Sequence, residues 1–400
     1  MSARARGRYK QIRTSLDEGF LIDFINETKT GSYECADLQS DHAILLNELV
    51  SSLTSEYGKA VIGLTILQLL VKIICPEQSI RLHKGGTNSR SFSWTEGISM
   101  RSLDKSFVTP VLRELDLLKI NADGVMMTRT LAENYPYTKL YKAAVRGAKS
   151  EWIKVIDEIE RGNLDPEASL RYVISLLINR SEAFKTLSED VLRKSHAHAQ
   201  RNPHPNDLKN LISSFFNESS YKARAFEIVL HSAYQALDEL AKLPGALLPL
   251  GQMRSANKKH KNIGDIEIAL SDSGGPIIEA WDAKFGKADL REEVEELSEK
   301  LVIHPDCLVA GFITNQAPSI NSDLSDRMID IGQSTGCEIS ILSFEDWHAE
   351  IIEYLTDAEN NAFHARWLVI LVECLAQERR DIAPIDEPCE GWLQELGTIL

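Results

Sequence analysis

Residues 264–284 read GDIEIALSDSGGPIIEAWDAK, and the pattern of this stretch decides the fold class of the second half of the chain. IEIAL at 266–270 and IIEAWDAKF at 277–285 are short β-prone runs, and SDSGGP between them supplies the Gly and Pro of a hairpin. Toward the C-terminus, ADLREEVEELSEKL (288–301) has the pattern of a charged amphipathic helix. CLVAGFIT (307–314) is the unbroken apolar run of a strand buried on both faces. A helix over 322–332, a strand over 337–342 and helices from Phe344 and Ala362 follow. Toward the N-terminus, 207–216 and 223–240 have helical spacing, the second with Phe226, Leu230, Ala233, Leu237 and Leu240 on one stripe. The order α, hairpin, α, β, α, β, α predicts an α/β domain with a mixed central sheet, its crossover helices placed after the hairpin.

The first half has a different texture. Residues 41–55, 59–74 and 103–118 carry apolar side chains at three- and four-residue intervals, and further helices fill 141–193. A polar, glycine-containing stretch at 81–97 interrupts them. The NADG turn at 121–124 and the β-prone VMMT after it predict a small helix-turn-helix or winged arrangement. SHAHAQRNPHPND (195–207), with two prolines, three histidines and almost no apolar side chains, reads as a linker or long surface loop. The expected division is a mainly α-helical N-terminal domain over 1–200 and an α/β domain over 206–400.

At 400 residues, 43% of them hydrophobic and 26% charged, the chain is long enough for two or three domains with cores of their own. Its most apolar segment, 60–75, is broken by Thr65, Gln68 and Lys72, short of the run of about eighteen that a membrane helix needs. No apolar stretch follows the basic N-terminus, so no signal peptide is recognised and a cytoplasmic protein without a membrane partner is expected. Cysteines at 35, 75, 307, 337, 374 and 389 form no CxxC and read as reduced, mostly buried thiols. Sequence signatures of P-loop, dinucleotide-binding, serine-hydrolase and zinc enzymes are missing. HxH at 196–198 with His204 is assigned no metal, because neither acids nor cysteines accompany it.

The net charge of −15 argues against a polyanionic partner until its distribution is examined. From residue 285 onward there are 7 Lys and Arg against 24 Asp and Glu; subtracted from the totals of 44 and 59, these leave 37 against 35 in residues 1–284. Within 81–113, Arg81, Lys84, Arg90, Arg101, Lys105 and Arg113 face only Glu96 and Asp104. Lys84, Arg90, Trp94, Arg101 and Lys105, with Phe92, are of the types that reach phosphates, guanine edges and unstacked bases, although an ordinary surface loop fits the same composition. The arm Arg4, Arg6, Arg8, Lys10 and Arg13 is expected to be disordered in isolation, a phosphate-binding tail at most.

Chemistry concentrates on the hairpin. Asp265 opens its first strand, and Asp282 and Lys284 share one face of the second, since strand side chains alternate. Two carboxylates from neighbouring strands form a hard oxygen site of the kind that takes Mg²⁺, with water and substrate phosphate completing the octahedron. A lysine ammonium beside them can orient water and stabilise a pentacovalent phosphate. Glu267 shares the face of Asp265 and either joins the metal site or is a solvated edge-strand acid. The competing structural explanation is an ion pair between Asp282 and Lys284 at a sheet end.

GDIEIAL…IIEAWDAK resembles the PD-(D/E)xK nuclease pattern, with Gly264 where the name has proline. The resemblance spans about 206–355 and implies a restriction-endonuclease-like core; it also implies a further acid on the helix before the hairpin, for which Glu227 is the best candidate by position and Glu218 the next. GISMRSLDKSFVTPVLRELDLL…DGVMMTRTLAENYPYTKLY in the first half is similar to the segment preceding the nuclease core in type II restriction endonucleases of the SacI type. That resemblance implies a Mg²⁺-dependent, sequence-specific endonuclease for double-stranded DNA that leaves 5′-phosphate and 3′-hydroxyl ends and works beside a separate cognate methyltransferase. A palindromic site would make it a homodimer. Two alternatives remain open: a structure- or modification-dependent nuclease of the same fold, and a non-catalytic DNA-binding regulator whose α/β half is a dimerisation or ligand module.

Overall fold

A computed structural model of the chain describes all residues except 32–37, 54–55, 84–94, 128–129, 133–134, 146, 251–261, 272–274 and 379–387, and the side chains of 56, 57, 127 and 378. The protein is mixed α/β and divides into two compact units, Met1–Thr186 and Leu187–Leu400. No helix among the described residues is long and apolar enough to cross a membrane.

The first unit is built around α4 (Glu56–Ile74), preceded by α1 (Ala3–Asp17), α2 (Phe20–Thr30) and α3 (Ser40–Ser51). Val61, Ile62, Leu64, Ile66, Leu67, Leu69, Leu70 and Val71 of α4 are all fully buried. A helix apolar on every side is a central one, and its neighbours wrap it. The basic arm is therefore not a free tail. Ser2 caps α1 by accepting the Ala5 N–H at 3.0 Å, and Ala5, Ile12 and Leu16 pack inward, so Arg, Lys and Ala of high helix propensity are held by tertiary burial.

Further along the chain, α5 (Met100–Leu103) runs through a π-helical turn at Asp104–Val108 into α6 (Thr109–Glu114). The expected wing does not form over VMMT: Val125–Met127 is a 3₁₀ turn, and in the described part of this unit β structure is limited to an isolated bridge, His83 with Ile98. Buried Asp104 is the reason, since its carboxylate accepts the Met126 N–H at 3.0 Å and the Thr109 hydroxyl at 2.7 Å. Those bonds turn the backbone inward and override the local β propensity. α7 (Lys149–Arg161) and α8 (Pro166–Gln200) follow, while 141–145 and 147–148, expected helical, are not.

α8 also corrects the linker. It continues through Ser195, His196 and His198 to Gln200, and only 201–204 separates it from α9 (Pro205–Glu218). Ala197, Ala199 and Gln200 favour helix, and the first proline comes only at 203. His204 is the N-cap of α9, its ring nitrogen accepting the Asn206 N–H at 3.2 Å. The division between the units falls inside α8 and not at 195–207.

In the second unit α9 and α10 (Lys222–Glu239) precede a five-stranded sheet in sequential order: β1 (Ala246–Leu247), β2 (Ile266–Ala269), β3 (Ile277–Lys284), β4 (Val309–Thr314) and β5 (Glu338–Ser343). β1, β2 and β3 are antiparallel; β3, β4 and β5 are parallel. β1 was not expected, since two residues carry no periodicity. α11 (Arg291–Ile303) and α12 (Ser322–Thr335) make the two crossovers, and Leu290, Val294, Leu297, Leu301, Leu324 and Ile331 pack on Ala280, Ala310, Phe312 and Ile341 of the sheet.

An aromatic cluster joins the remaining elements. Phe216 of α9, Phe226 of α10 and Phe285 meet Phe344, Trp347 and Trp367 at centroid separations of 4.9–6.4 Å. The last three belong to α13 (Phe344–Glu353) and α14 (Asp357–Glu373). α14, the FHARWLVILVE helix, is a core element: Phe363, Trp367, Leu368, Leu371 and Val372 are fully buried. A final helix at Cys389–Ile399 closes the unit, and Cys307 and Cys337 lie buried at the entries to β4 and β5 within hydrogen-bonding reach of each other.

Candidate active site

The site forms where β2 begins and β3 ends. Ile266 lies opposite Trp281, and the Asp265 N–H donates to the Trp281 carbonyl at 3.0 Å, so Asp265 enters the sheet beside Asp282. One carboxylate oxygen of Asp265 accepts the Ala283 N–H at 3.1 Å. A Cβ at Gly264 would stand 2.5 Å from the Trp281 carbonyl oxygen and 2.7 Å from its carbon. Glycine is what this approach of two backbones admits, and a proline ring would meet the same atoms.

On β3, Lys284 Nζ donates to Asp282 Oδ1 at 2.8 Å and lies 5.9 Å from the centroid of the Phe312 ring on β4. The ion pair of the structural alternative is thus formed. Glu227 reaches the same group of charges from α10, paired with buried Arg224 one turn earlier. Glu218, at the end of α9, is exposed.

The electrostatics follow from crowding. Burial, and then the negative charges of Asp282 and Glu227, push the Asp265 carboxyl well above the usual carboxylate range, and a hydrogen bond shared with Asp282 adds to this. Burial likewise raises Glu227 against the opposing pull of Arg224. For Lys284, burial acts to lower its affinity for the proton, but the charge and hydrogen bond of Asp282 outweigh it, so the ammonium is held above its ordinary value. Three carboxyls thus share one ammonium and one guanidinium, an arrangement with an unmet demand for positive charge.

That demand is what a divalent cation meets. Among the described residues no group of three or more His, Cys, Asp and Glu side chains is arranged as a metal cluster. Mg²⁺, however, takes only one or two protein carboxylates and keeps several waters. Asp265 and Asp282 supply two hard oxygen donors from adjacent strands, so the donor chemistry fits Mg²⁺.

Glu267 is not the solvated edge-strand acid that was one of its two expected roles. It is 7% exposed, accepts the Ile263 N–H at 2.6 Å and is also bonded by the Gly264 N–H, while Lys300 of α11 donates to the Ile263 carbonyl at 2.8 Å. Together Glu267 and Lys300 clamp the turn that delivers Asp265. Alternation placed Glu267 on the correct face; its partner backbone lies four residues upstream, where no pattern points. Arg224 was also missed, although its i, i+3 spacing to Glu227 was a usable signal. Glu279 and Trp281, out of phase with Asp282 and Lys284 along β3, share the opposite face, with the indole N–H donating to the Glu279 carboxylate at 2.7 Å.

Of the expected DNA contacts, Lys84, Arg90 and Trp94 lie outside the described residues. Arg101 is exposed and donates through Nε to the Met126 carbonyl at 3.0 Å; Lys105, four residues on, pairs with Asp123 at 2.8 Å. Comparison with protein-family models and with curated proteins found no match to the chain.

Proposed function

We propose that the protein is a Mg²⁺-dependent phosphodiester hydrolase acting on double-stranded DNA, and, following the resemblance of its two segments, a site-specific type II restriction endonuclease with a restriction-endonuclease-like core. The observation that carries this reading is the convergence of Asp265, Asp282, Lys284 and Glu227 where an antiparallel hairpin joins two parallel strands. Held by Asp265 and Asp282, Mg²⁺ would supply neutralisation of the phosphate charge and a more acidic water. Lys284, aimed by its bond to Asp282 Oδ1, donates a hydrogen bond to the attacking water or to a non-bridging phosphate oxygen. Glu227, raised in proton affinity and steadied by Arg224, is the carboxylate suited to accept the proton that the water gives up. In-line attack on phosphorus breaks the bond to the 3′ oxygen and leaves 5′-phosphate and 3′-hydroxyl ends. A cytoplasmic homodimer with a separate methyltransferase completes the proposal.

Incubation with long duplex DNA and Mg²⁺ tests it. Discrete, reproducible fragments that vanish with chelator and in Asp282→Ala or Lys284→Ala, both still folded, are expected. Random degradation would point to a general nuclease. The Asp282–Lys284 ion pair favours one other reading, a site that only braces the sheet of a DNA-binding regulator; intact DNA with a mobility shift, and unfolding of both variants, is its signature.

A further inference from the structure

The helix at the start of the chain carries Arg4, Arg6, Arg8, Lys10 and Arg13 and no acid before Asp17. The structure divides these cations by task. Arg8 is spent on anchorage: its guanidinium donates to Gln78 at 2.7 Å and to Glu96 at 2.7 Å, while the Ser2 N–H donates to the Thr95 carbonyl at 2.7 Å. Arg4 lies close enough to Glu96 to help hold that carboxyl below its ordinary range. Arg6, Lys10 and Arg13 stand at i, i+4 and i+7, on one face beside the buried stripe of Ala5, Ile12 and Leu16. All three are exposed, and none makes an ion pair among the described residues. The nearest acid along this face is Asp17, one turn past Arg13.

We infer that Arg6, Lys10 and Arg13 form a phosphate-contact surface for duplex DNA, separate from the hydrolytic site. The inference rests on the proposed DNA substrate and adds to it the place where the first unit grips the backbone. Reach supports it: at 1.5 Å per residue the three charges are spread over about 10 Å of one helix face on long, flexible side chains, enough to meet more than one backbone phosphate. Charge supports it too, because a stripe of cations with no ion-pair partner among the described residues is conspicuous on a chain of net charge −15. A membrane surface suits α1 less well, since a helix lying in a bilayer interface needs its apolar face free, and Ala5, Ile12 and Leu16 are buried in the protein. Thr95 and Glu96, which anchor the helix, border residues 84–94, where the sequence placed base contacts.

Binding of the full chain to a 30-base-pair duplex in EDTA, where hydrolysis is prevented, is measured between 50 and 300 mM salt. Replacing all three by glutamine should make the slope of log affinity against log salt shallower by about three, or by about one for each single change. The exchange Arg6→Lys, Lys10→Arg, Arg13→Lys should restore the native slope, which separates charge from damage to the helix. A matched set of exposed cations, Lys29→Gln, Lys154→Gln and Arg161→Gln, should leave the slope within about half a unit of native. An unchanged slope in the first variant, or an equal loss in the matched set, overturns the inference. So does loss of binding to vesicles containing phosphatidylserine with DNA binding intact. Fragments produced with Mg²⁺ but no slope change would leave the nuclease standing and this surface refuted; a slope change without any cleavage would do the reverse.

Discussion

Asp265 is held in the folded chain at a cost. Its proton affinity is raised by burial and by two neighbouring carboxylates, which means that the ionised form is destabilised relative to the unfolded chain. A carboxyl raised in this way contributes stability at low pH that is lost as pH climbs through its folded value. Asp265→Asn keeps an acceptor for the Ala283 N–H and removes the titratable group, so in EDTA it should be at least as stable as the native protein, and the more so the higher the pH, while with Mg²⁺ supplied it should not cleave. Mg²⁺ should raise the melting temperature of the native protein and leave that of the variant unmoved; a destabilised variant would mean that Asp265 is structural. Glu267 predicts the opposite balance. Glu267→Ala leaves the Ile263 and Gly264 amides without their acceptor, a loss of about 1–3 kcal/mol, and slows cleavage by loosening the turn that places Asp265. Denaturant titration and single-turnover rates measured on the same preparation separate the two effects. Asp265, Asp282 and Lys284 were legible because period two and a hairpin suffice to bring them together. The clamp by Lys300 was not, since it depends on how α11 folds back across the sheet.

At the scale of elements, hydrophobic periodicity located most helices and the four longer strands, and it failed where a tertiary partner decided the outcome. Asp104 drew Val125–Met127 into a turn, and burial of Ile12 and Leu16 ordered an arm that its charge alone would leave loose. α13 and α14 carry a partnership that no spacing foretells: His348 and His364 share a buried hydrogen bond between their Nε2 atoms at 2.7 Å, while His364 Nδ1 bonds the Asn360 carbonyl at 2.9 Å. Burial, then the neighbouring His364 and Lys209, lower the His348 pKa from 6.5 to about 3, and burial lowers His364 as well. Between those two values the unfolded chain binds the proton and the folded chain does not. Stability therefore falls as pH drops from about 6.5 toward about 3, by up to about 1.4 kcal/mol per pH unit from this ring alone. Urea midpoints at pH 7 and pH 5 should diverge in the native protein and converge partly in His348→Phe, whatever that variant's absolute stability. An unchanged divergence would place the acid sensitivity elsewhere.

For the whole molecule, the sequence expected a helical half and an α/β half with the seam at 195–207, where prolines and histidines imitate a linker, whereas α8 runs through Gln200 and the two units divide within it. The seam lies inside α8, whose last turns belong to the second unit: Val191 is fully buried, a Cβ on Gly397 would come within 2.9 Å of its side chain, and Lys194 donates to the Gly397 carbonyl at 2.9 Å. A fragment of residues 187–400 should therefore be more stable than one of residues 206–400, by about 1.5–3 kcal/mol for Val191 alone. Equal melting temperatures would show that this turn of α8 adds nothing.

The five described cysteines are all buried, Cys75 in the first unit and Cys307, Cys337, Cys374 and Cys389 in the second, with Cys35 outside the described residues. Each sulfur is a silent reporter, closed to an alkylating reagent until the core around it opens. Pulses of iodoacetamide followed by peptide mass spectrometry would time the opening of each unit in the native, unlabelled chain. Modification of Cys75 at a pace different from that of Cys307 and Cys337 would mean that the two cores breathe independently, and a common pace would mean that one cooperative event exposes both.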